Sequence, residues 1–263
     1  MNNTRIAIIG AAGRMGQRLV ALAAADPLLE VVAAVESANH PQFGEDSGTV
    51  AGIKANGIPI TSEPGRKVDV IIDFSSPKGT DALLDYCVEQ RTPLVYATTG
   101  ISEEQEAHLR KSAHHIPLLW SPSMSMTVVL GMRLAQEAAK VLKDKDADVE
   151  IIEHHHRYKA DAPSGTALRF GQIIGQAMEI DQFAHGREGK VGARPHNEIG
   201  YHAVRIGDNP GQHTILFGLL GETLELTIKA SNRDAYAVGA LAAAKFLVGK
   251  PVGLYDMNDV LFE

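Results

Sequence analysis

Imidazole and ammonium groups are concentrated in one short stretch of the chain, where three adjacent histidines, His154–His156, precede Lys159. A Pro-Ser-Gly-Thr sequence follows within a few residues and predicts a turn that opens a helix, with Ser164 as its N-cap. In the first turn of such a helix the backbone N–H groups of Gly165 and Thr166 have no partner within the helix. Free amide donors and the helix dipole both favour a negative charge at that end. The stretch therefore indicates chemistry on a small acidic molecule, with proton donors beside it.

The histidine run also fits a metal cluster or the polar end of a strand. Residues Val149–Ile152 predict a strand, and alternation along it would turn His155 away from its two neighbours, a poor start for a three-histidine metal site. Arg157 and Lys159 add positive charges that oppose a bound cation. We therefore predict no metal. A solvated strand end is a sufficient explanation for His154 alone, but not for the whole block.

Composition places the chain among ordinary globular proteins. Its 263 residues allow one large domain or two smaller ones, and a hydrophobic content of 44% suffices for a sizeable core. The formal net charge of −7 disfavours a nucleic-acid binder, so any anionic ligand must be met by locally clustered cations. The single cysteine, Cys87, excludes an internal disulfide, fits a reducing compartment and is expected on the apolar face of a helix. No export signal or membrane-spanning stretch is recognisable, which predicts a cytoplasmic protein without a membrane partner.

A glycine-rich turn near the N-terminus follows an apolar strand, Arg5–Ile9, and precedes the helical pattern of Gln17–Ala25. Its G-x-x-G-x-x-G spacing is a variant of the dinucleotide-binding fingerprint. Gly10 permits the tight turn, Gly13 lets the backbone approach a pyrophosphate, and Gly16 allows helix and strand to pack closely. Strand, turn and helix thus occur in the order that a nucleotide-binding unit requires.

A second apolar strand, Val31–Val35, ends at Glu36, where a carboxylate would bind the ribose hydroxyls of adenosine. A charged residue at a strand end is common, but this position favours the binding role. The following residues 37–66 are rich in Gly, Pro, Asn and Ser, which predicts a loop with one short strand at Gly57–Ile60.

Regular alternation of strands and helices then resumes. The pattern predicts strands at Val68–Phe74, Pro93–Thr98 and Ile116–Trp120, and helices at Thr80–Gln90 and Ser102–His114, the latter opened by a capping box of Ser102 and Gln105. Such alternation implies a parallel sheet, whose ligands lie beyond the carboxyl ends of the strands. The strand-end segments Phe74–Pro77, Ala97–Gly100 and Ser121–Met124 are therefore candidates for binding the nicotinamide half of a cofactor, with ordinary turn chemistry as the alternative.

The second half of the chain shows a different pattern of predicted elements. Helices are predicted at Thr127–Leu142, Thr166–Met178 and Asp234–Val248, and a long loop at Phe183–Glu198. Antiparallel strands are predicted at Ile199–Ile206, Gly211–Leu219 and Thr223–Lys229. The last two strands are joined by a Gly221-Glu222 turn. The closing segment Gly253–Met257 is expected to return to the first domain. The fold class is α/β: a Rossmann-type parallel-sheet domain, residues 1–126 plus 240–263, and an α+β domain, residues 127–239, with an open mixed sheet. An uncovered sheet face also predicts self-association.

The sequence resembles the 4-hydroxy-tetrahydrodipicolinate reductase (dihydrodipicolinate reductase) family. The resemblance spans the chain and is carried by the glycine turn Gly10–Gly16, by Ala97–Gly100, by Gly211–Thr214 and above all by His155–Ala167. It implies NAD(P)H-dependent reduction of 4-hydroxy-tetrahydrodipicolinate to tetrahydrodipicolinate in diaminopimelate and lysine biosynthesis. It also implies a Rossmann-type cofactor domain and an inserted domain for substrate binding and tetramerisation, hence a homotetramer.

The resemblance also implies roles for individual residues. His155 matches the acid/base residue and Lys159 the proton donor. The candidate substrate-binding residues are His156, Ser164, Gly165 and Thr166. The candidate cofactor-binding residues are Gly10, Ala11, Ala12, Gly13, Arg14, Met15, Glu36, Ala97, Thr98, Thr99, Ser121, Pro122, Ser123 and Met124.

Several positions depart from the family pattern. Ser37 follows Glu36 where some relatives carry an arginine for the 2′-phosphate of NADPH, and Glu36 would itself repel that phosphate, so we predict a preference for NADH over NADPH. Ser123 and Thr127 stand where the family usually has Asn and Gly, and Ile228 where many relatives have a histidine.

Two other functions compete with a reductase. A non-catalytic dinucleotide sensor would explain the glycine turn but not the His/Lys/Ser-Gly-Thr block. A thiol-dependent semialdehyde dehydrogenase needs an activated cysteine, and Cys87 is expected in the middle of a helix.

Overall fold

The computed structural model describes residues 3–65 and 67–263, so the last residue of the predicted 37–66 loop lies outside the described part. The chain forms two compact units, residues 1–126 with 233–263 and residues 127–232. The second break precedes a helix, whereas the sequence-based division places it within that helix, after residue 239. The assignment of separate functions to two domains stays a prediction.

The first unit begins with alternating strands and helices. Its elements up to residue 120 are β1 Thr4–Ile9, α1 Arg14–Ala25, β2 Leu29–Val35, α2 Ser47–Val50, β3 Ile60–Thr61, β4 Val70–Asp73, a 3-10 turn Pro77–Gly79, α3 Thr80–Gln90, β5 Leu94–Tyr96, α4 Glu103–Ser112 and β6 Pro117–Trp120. The predicted capping box of Ser102 and Gln105 is present at the start of α4. The short strand β3 lies at the C-terminal edge of its predicted range, Gly57–Ile60. The predicted loop before it contains helix α2, which was not predicted, and the Asp46 carboxylate caps this helix by accepting the Thr49 N–H.

The second unit consists of α5 Met126–Leu142, β7 Asp148–His155, α6 Gly165–Met178, β8 Gln182–His185, β9 Glu198–Arg205, β10 Gln212–Leu219 and β11 Glu222–Lys229. Its sheet has the order β11-β10-β7-β9-β8. Helices α5 and α6 pack on one face, where Phe170, Ile151 and Phe217 are fully buried. The opposite face carries no helix of this unit in the described part of the chain.

Three sequence predictions for this unit are wrong. β8 overlaps the start of the predicted loop from residue 183 to 198, and β9 runs parallel to both β7 and β8 rather than antiparallel. Alternation of polar and apolar residues identifies the faces of a strand but not its direction, which here depends on the long β8–β9 connection. The hairpin turn lies at Leu220-Gly221, because Leu219 pairs with Glu222 and Gly221 adopts a positive φ of 89°.

The chain returns to the first unit through α7 Asp234–Leu247, β12 Gly253–Tyr255 and α8 Met257–Phe262. β12 pairs with β6 and completes a seven-stranded sheet of order β12-β6-β5-β4-β1-β2-β3, in which all paired strands are parallel. The predicted Rossmann-type sheet and open mixed sheet are therefore confirmed. No helix within the described residues is long and apolar enough to span a bilayer.

Candidate active site

Strand β7 ends at His155, and its alternating faces separate His154 from His155; His156 lies on the turn that follows. Glu153 and His155 lie on the buried face with Ile151, while His154 is only half-buried on the other face. A run of adjacent histidines therefore contributes one buried imidazole. The carboxylate two residues before it shares its face because side chains alternate along a strand.

Glu153 is the centre of a buried hydrogen-bond network. Only 1% of its surface is exposed, and its Oε2 lies 2.6 Å from Nδ1 of His155. Each of its two oxygens accepts a hydrogen bond from one terminal nitrogen of Arg205, both at 2.8 Å. Oε1 also accepts the backbone N–H of Ser164 at 3.0 Å. One carboxylate thus joins the end of β7, the end of β9 and the start of α6.

The charges in this network are set by burial and by the partners. Burial tends to raise the pKa of Glu153, but the hydrogen bonds from Arg205 and His155 outweigh it and hold that pKa below its usual range. Burial lowers the pKa of His155, and the Glu153 carboxylate opposes this. An ionised carboxylate only accepts hydrogen bonds, so the Nδ1 of His155 donates. Its Nε2 is then the atom that can exchange a proton with a ligand.

The start of α6 offers free amide donors. The Ser164 hydroxyl accepts the Ala167 N–H at 3.2 Å, which is the predicted N-cap, and lies 3.1 Å from Nε2 of His213. Within the described residues the N–H groups of Gly165 and Thr166 have no acceptor, and the first turn holds no acidic residue. A Cβ added at Gly165 would meet nothing within 4 Å. This helix start can receive an anion.

Lys159 and His156 lie on the turn between β7 and α6. The Lys159 Nζ is 2.8 Å from Oδ1 of Asp161, and its charge lowers the pKa of both His155 and His213. The Nδ1 of His156 is buried and has no hydrogen-bond partner in the described part of the chain. Lys159 therefore lies within electrostatic range of His155 and of His213, the second of which contacts the N-cap of α6. The Ser164 hydroxyl is committed within the protein, so direct substrate contact by Ser164 stays a prediction.

The glycine turn of the first unit has the geometry of an anion cradle. Gly10 has a φ of 77°, and the Gly13 N–H donates to its carbonyl at 3.0 Å. A Cβ at Gly16 would overlap the carbonyl oxygen of Gly10, and one at Gly10 would lie 2.8 Å from the carbonyl oxygen of Phe74. Helix α1 begins without a side-chain cap and without an acid in its first turn. The backbone fits the close approach of a pyrophosphate.

The other candidate cofactor segments lie at the same edge of this sheet. Thr98 follows β5 and donates to Oδ2 of the buried Asp73, at the end of β4, at 2.6 Å; burial raises the pKa of Asp73. Ser121 follows β6 and donates to the Ser123 carbonyl at 3.0 Å. Glu36 directly follows β2, whose Val35 carbonyl accepts the Gly10 and Ala11 N–H groups. The carboxyl ends of β2, β1, β4, β5 and β6 thus bring these segments to one edge, next to the start of α1. Met124 and Ala12 are buried, whereas Arg14, Thr99 and Pro122 are exposed.

Comparison with known proteins identifies the family. The family model for dihydrodipicolinate reductase, N-terminus, matches residues 4–124, and that for dihydrodipicolinate reductase, C-terminus, matches residues 127–261. The 4-hydroxy-tetrahydrodipicolinate reductase of Rhodopirellula baltica is 52% identical, over 97% of this chain and 95% of that protein. The chain belongs to the dihydrodipicolinate reductase family. A protein of the same name from Methylococcus capsulatus is 43% identical, over 98% of this chain and 97% of that protein.

A solved member of the family shares the fold. The dipicolinate-bound dihydrodipicolinate reductase from Paenisporosarcina sp. TG-14 aligns with a TM-score of 0.78 at 24% identity, covering 99% of this chain and 100% of that chain. At this identity the likeness concerns the fold alone.

Three residues of this candidate site were not predicted from the sequence: the buried Glu153 and His213 and the partly buried Arg205. The Glu-x-His spacing of Glu153 and His155 on a strand was a usable signal, since it puts a carboxylate and an imidazole on one face. Arg205 is 52 residues away from Glu153, and no local pattern indicates that pairing.

The departure at Ile228 has a packing explanation. Ile228 lies opposite His213 in the β10–β11 pairing, and a Cβ at Gly131 of α5 would lie 2.7 Å from its Cδ1. An isoleucine there fills space against the helix.

Cys87 is fully buried, and burial raises the pKa of its thiol, so it is not an available nucleophile.

The buried His213 predicts an acid-sensitive fold. Burial, reinforced by the charge of His155, lowers the pKa of His213 from 6.5 to about 4. Because the folded-state pKa lies below the unfolded value, the stabilisation is complete above pH 6.5 and is lost as the pH falls toward 4, by roughly 3 kcal/mol in all. Urea unfolding at several pH values across this range should show a shallower loss in His213→Gln than in the wild type. An equal loss of unfolding free energy with falling pH in His213→Gln and the wild type would show that His213 does not cause the acid sensitivity.

Proposed function

We propose that the chain catalyses the reaction for which its family is named: reduction of 4-hydroxy-tetrahydrodipicolinate to tetrahydrodipicolinate with NAD(P)H, a step of diaminopimelate and lysine biosynthesis. The observation that carries the proposal is the arrangement at the start of α6, where unpaired amides follow the turn that carries Lys159 and where Glu153 bonds both His155 and the Ser164 N–H. Membership of the reductase family supports it independently.

The substrate is a cyclic dicarboxylate, and the second unit offers the groups that such an anion needs. The N–H groups of Gly165 and Thr166 donate to one carboxylate, in the direction that the helix dipole favours. The Lys159 ammonium and the unpaired Nδ1 of His156 provide further donors. Each positive or donating group replaces water that the carboxylates lose on binding.

The 4-hydroxyl of the substrate leaves as water, which gives a conjugated imine. Reduction then adds one hydride to a ring carbon and one proton where the electron pair arrives, so hydride, proton and substrate give tetrahydrodipicolinate and water. His155 serves as the acid/base residue through Nε2, and Lys159 as the proton donor. Asp161, whose pKa Lys159 lowers, pairs with the Lys159 Nζ at 2.8 Å. The reduced nicotinamide supplies the hydride when the cofactor is bound.

The cofactor is held by the first unit, with its pyrophosphate at the glycine turn and its adenosine ribose at Glu36. The nicotinamide half contacts the segments after β5 and β6. Glu36 accepts the Ser37 N–H at 2.9 Å, which keeps its carboxylate near the end of β2. That negative charge accepts hydroxyl donors and repels a 2′-phosphate, so NADH is the preferred cofactor.

Cofactor preference can be tested at Glu36. We expect kcat/KM with NADH to exceed that with NADPH by about ten-fold, since about 1.4 kcal/mol of repulsion gives that ratio. Glu36→Gln should reduce the ratio. Glu30→Gln, which changes an exposed glutamate on the preceding strand β2, should not. Equal or better kcat/KM with NADPH in the wild type would refute the preference.

The protein acts in the cytoplasm as a homotetramer that assembles through the open face of its mixed sheet. The absence of a helix on that face in the described residues supports self-association. Light scattering on the purified protein tests this, and a monomer would contradict it.

Turnover separates the reductase from the non-catalytic dinucleotide sensor. We expect freshly made substrate to cause loss of NADH absorbance in the presence of the protein. A sensor would bind NADH and leave its absorbance unchanged.

A further inference from the structure

Glu153 and Arg205 form a bidentate ion pair beneath the proposed site. The carboxylate is almost entirely buried, so it contacts other parts of the protein rather than solvent. Its partners besides Arg205 are His155 and the backbone amide of Ser164. Both belong to the groups proposed to act on substrate, one as acid/base residue and one as the start of the anion-binding helix.

Arg205 extends the network to the turn that carries Lys159. Its Nη2 donates to the carbonyl oxygen of Asp161 at 2.6 Å, and the Asp161 carboxylate pairs with Lys159. The His155 carbonyl also accepts the Ile206 N–H at 2.9 Å, directly after Arg205. One ion pair therefore contacts three segments, the end of β7, the turn before α6 and the α6 N-terminus.

We infer that Glu153 and Arg205 are positioning residues of the reductase: they fix the tautomer and direction of the His155 imidazole and hold it in register with the amides of α6. The inference rests on the proposed function. Neither residue is assigned a contact with substrate. Their effect passes through Nδ1 of His155 and the N–H of Ser164.

The bond to Glu153 has a defined chemical consequence. With Nδ1–H donated to a carboxylate, the neutral imidazole must keep its lone pair on Nε2, the atom proposed to face the substrate. The carboxylate also stabilises the protonated ring that forms when Nε2 takes up a proton. A glutamine in its place removes this charge and can offer either an oxygen or an amide, so the tautomer is no longer fixed.

The charged and titratable groups around His155 come from several elements. They are Glu153 on its own strand, Arg205 on β9, His213 on β10 and Lys159 on the following turn. Of these, only Glu153 favours the protonated imidazole. Its removal should therefore move the titration of His155 to lower pH.

Glu150 provides a matched control on the same strand. It lies on the opposite face and also pairs with arginines and a histidine, with Arg187 at 2.8 Å, Arg194 at 2.9 Å and His202 at 2.7 Å. These partners lower its pKa to about 2 although burial opposes them. Glu150→Gln removes a partly buried carboxylate with a comparable set of partners and does not touch His155.

The test compares Glu153→Gln with Glu150→Gln in the full-length protein. For Glu153→Gln we expect kcat to fall roughly 10- to 100-fold with little change in KM for NADH, and the titration of the His155 ring, followed by NMR, to shift to lower pH. The ring signal is identified by its loss in His155→Gln. For Glu150→Gln we expect the titration of His155 and the pH profile of kcat to stay as in the wild type.

A purely structural Glu153 would lower the melting temperature of Glu153→Gln while leaving the His155 titration and kcat unchanged, and that result would overturn the inference. If Glu153→Gln does not fold, Arg205→Lys takes its place, because lysine keeps the charge but loses the two-pronged contact. It should lower kcat and shift the titration, and no change in either would also overturn the inference. An inactive wild type would refute the proposed function, whereas the NMR titration tests the positioning without turnover.

Discussion

His155→Gln and Lys159→Ala each slow turnover by roughly 10²-fold or more, the range expected for loss of a positioned acid or base. His155 is the only one of the three adjacent histidines bonded to Glu153 in the described structure, and glutamine keeps a hydrogen bond to that carboxylate but cannot carry a proton through Nε2. Lys159→Ala removes the ammonium beside the amides of α6. The measurement is kcat with saturating NADH and substrate.

Two controls separate chemistry from general damage. His154→Gln changes the neighbouring histidine on the other face of β7. Lys143→Ala breaks the ion pair of Lys143 with Glu179, at 2.7 Å, which resembles the 2.8 Å pair of Lys159 with Asp161. Both controls should keep kcat within a few-fold of the wild type. Near-native turnover in His155→Gln and Lys159→Ala would remove these residues from the mechanism.

Gly16→Ala should abolish tight NADH binding, with a loss of affinity above about 10²-fold and a cost to the fold of more than about 3 kcal/mol. The added Cβ would overlap the Gly10 carbonyl oxygen and approach the Cα of Ala11, and both are backbone atoms that move only if the turn is rebuilt. The turn that is lost is the proposed pyrophosphate site. Energy transfer from the single tryptophan, Trp120, to bound NADH reports the affinity, since Trp120 ends β6 directly before Ser121.

The matched control is Gly79→Ala, where a Cβ meets nothing within 4 Å and φ is −96°. It should bind NADH as the wild type does. If Gly16→Ala does not fold, Gly13→Ala provides the answer, because its Cβ meets only the Gly10 carbonyl oxygen, at 3.1 Å. Undiminished NADH affinity in Gly13→Ala and Gly16→Ala would exclude the glycine turn as the cofactor site.

Local patterns in the sequence predicted the parts of the fold that local interactions determine. The β1–turn–α1 unit follows from an apolar run and three glycines, and the α4 start follows from Ser102 and Gln105, which bond to each other's backbone. The N-cap role of Ser164 was predicted for the same reason. In each case the interacting residues are at most a few positions apart.

Features that depend on distant residues were not predicted. The direction of β9 is decided by which strands it meets, and the alternation of its side chains is the same in either direction. Helix α2 exists because the Asp46 carboxylate accepts hydrogen bonds from Thr49 and from the backbone N–H groups of Asn56 and Gly57. Residue composition does not reveal that one carboxylate joins the two ends of this loop. The pairing of Glu153 with Arg205 likewise becomes visible only when β7 and β9 lie side by side.

The central claim is that this chain transfers a hydride from a reduced nicotinamide to the ring of 4-hydroxy-tetrahydrodipicolinate. The most direct measurement uses NADH that carries deuterium at the transferred position, with mass spectrometry of the ring product. We predict one deuterium in each molecule of tetrahydrodipicolinate and one NADH oxidised for each product formed. A product without deuterium, or substrate that stays unreduced while labelled NADH is bound, would contradict the claim.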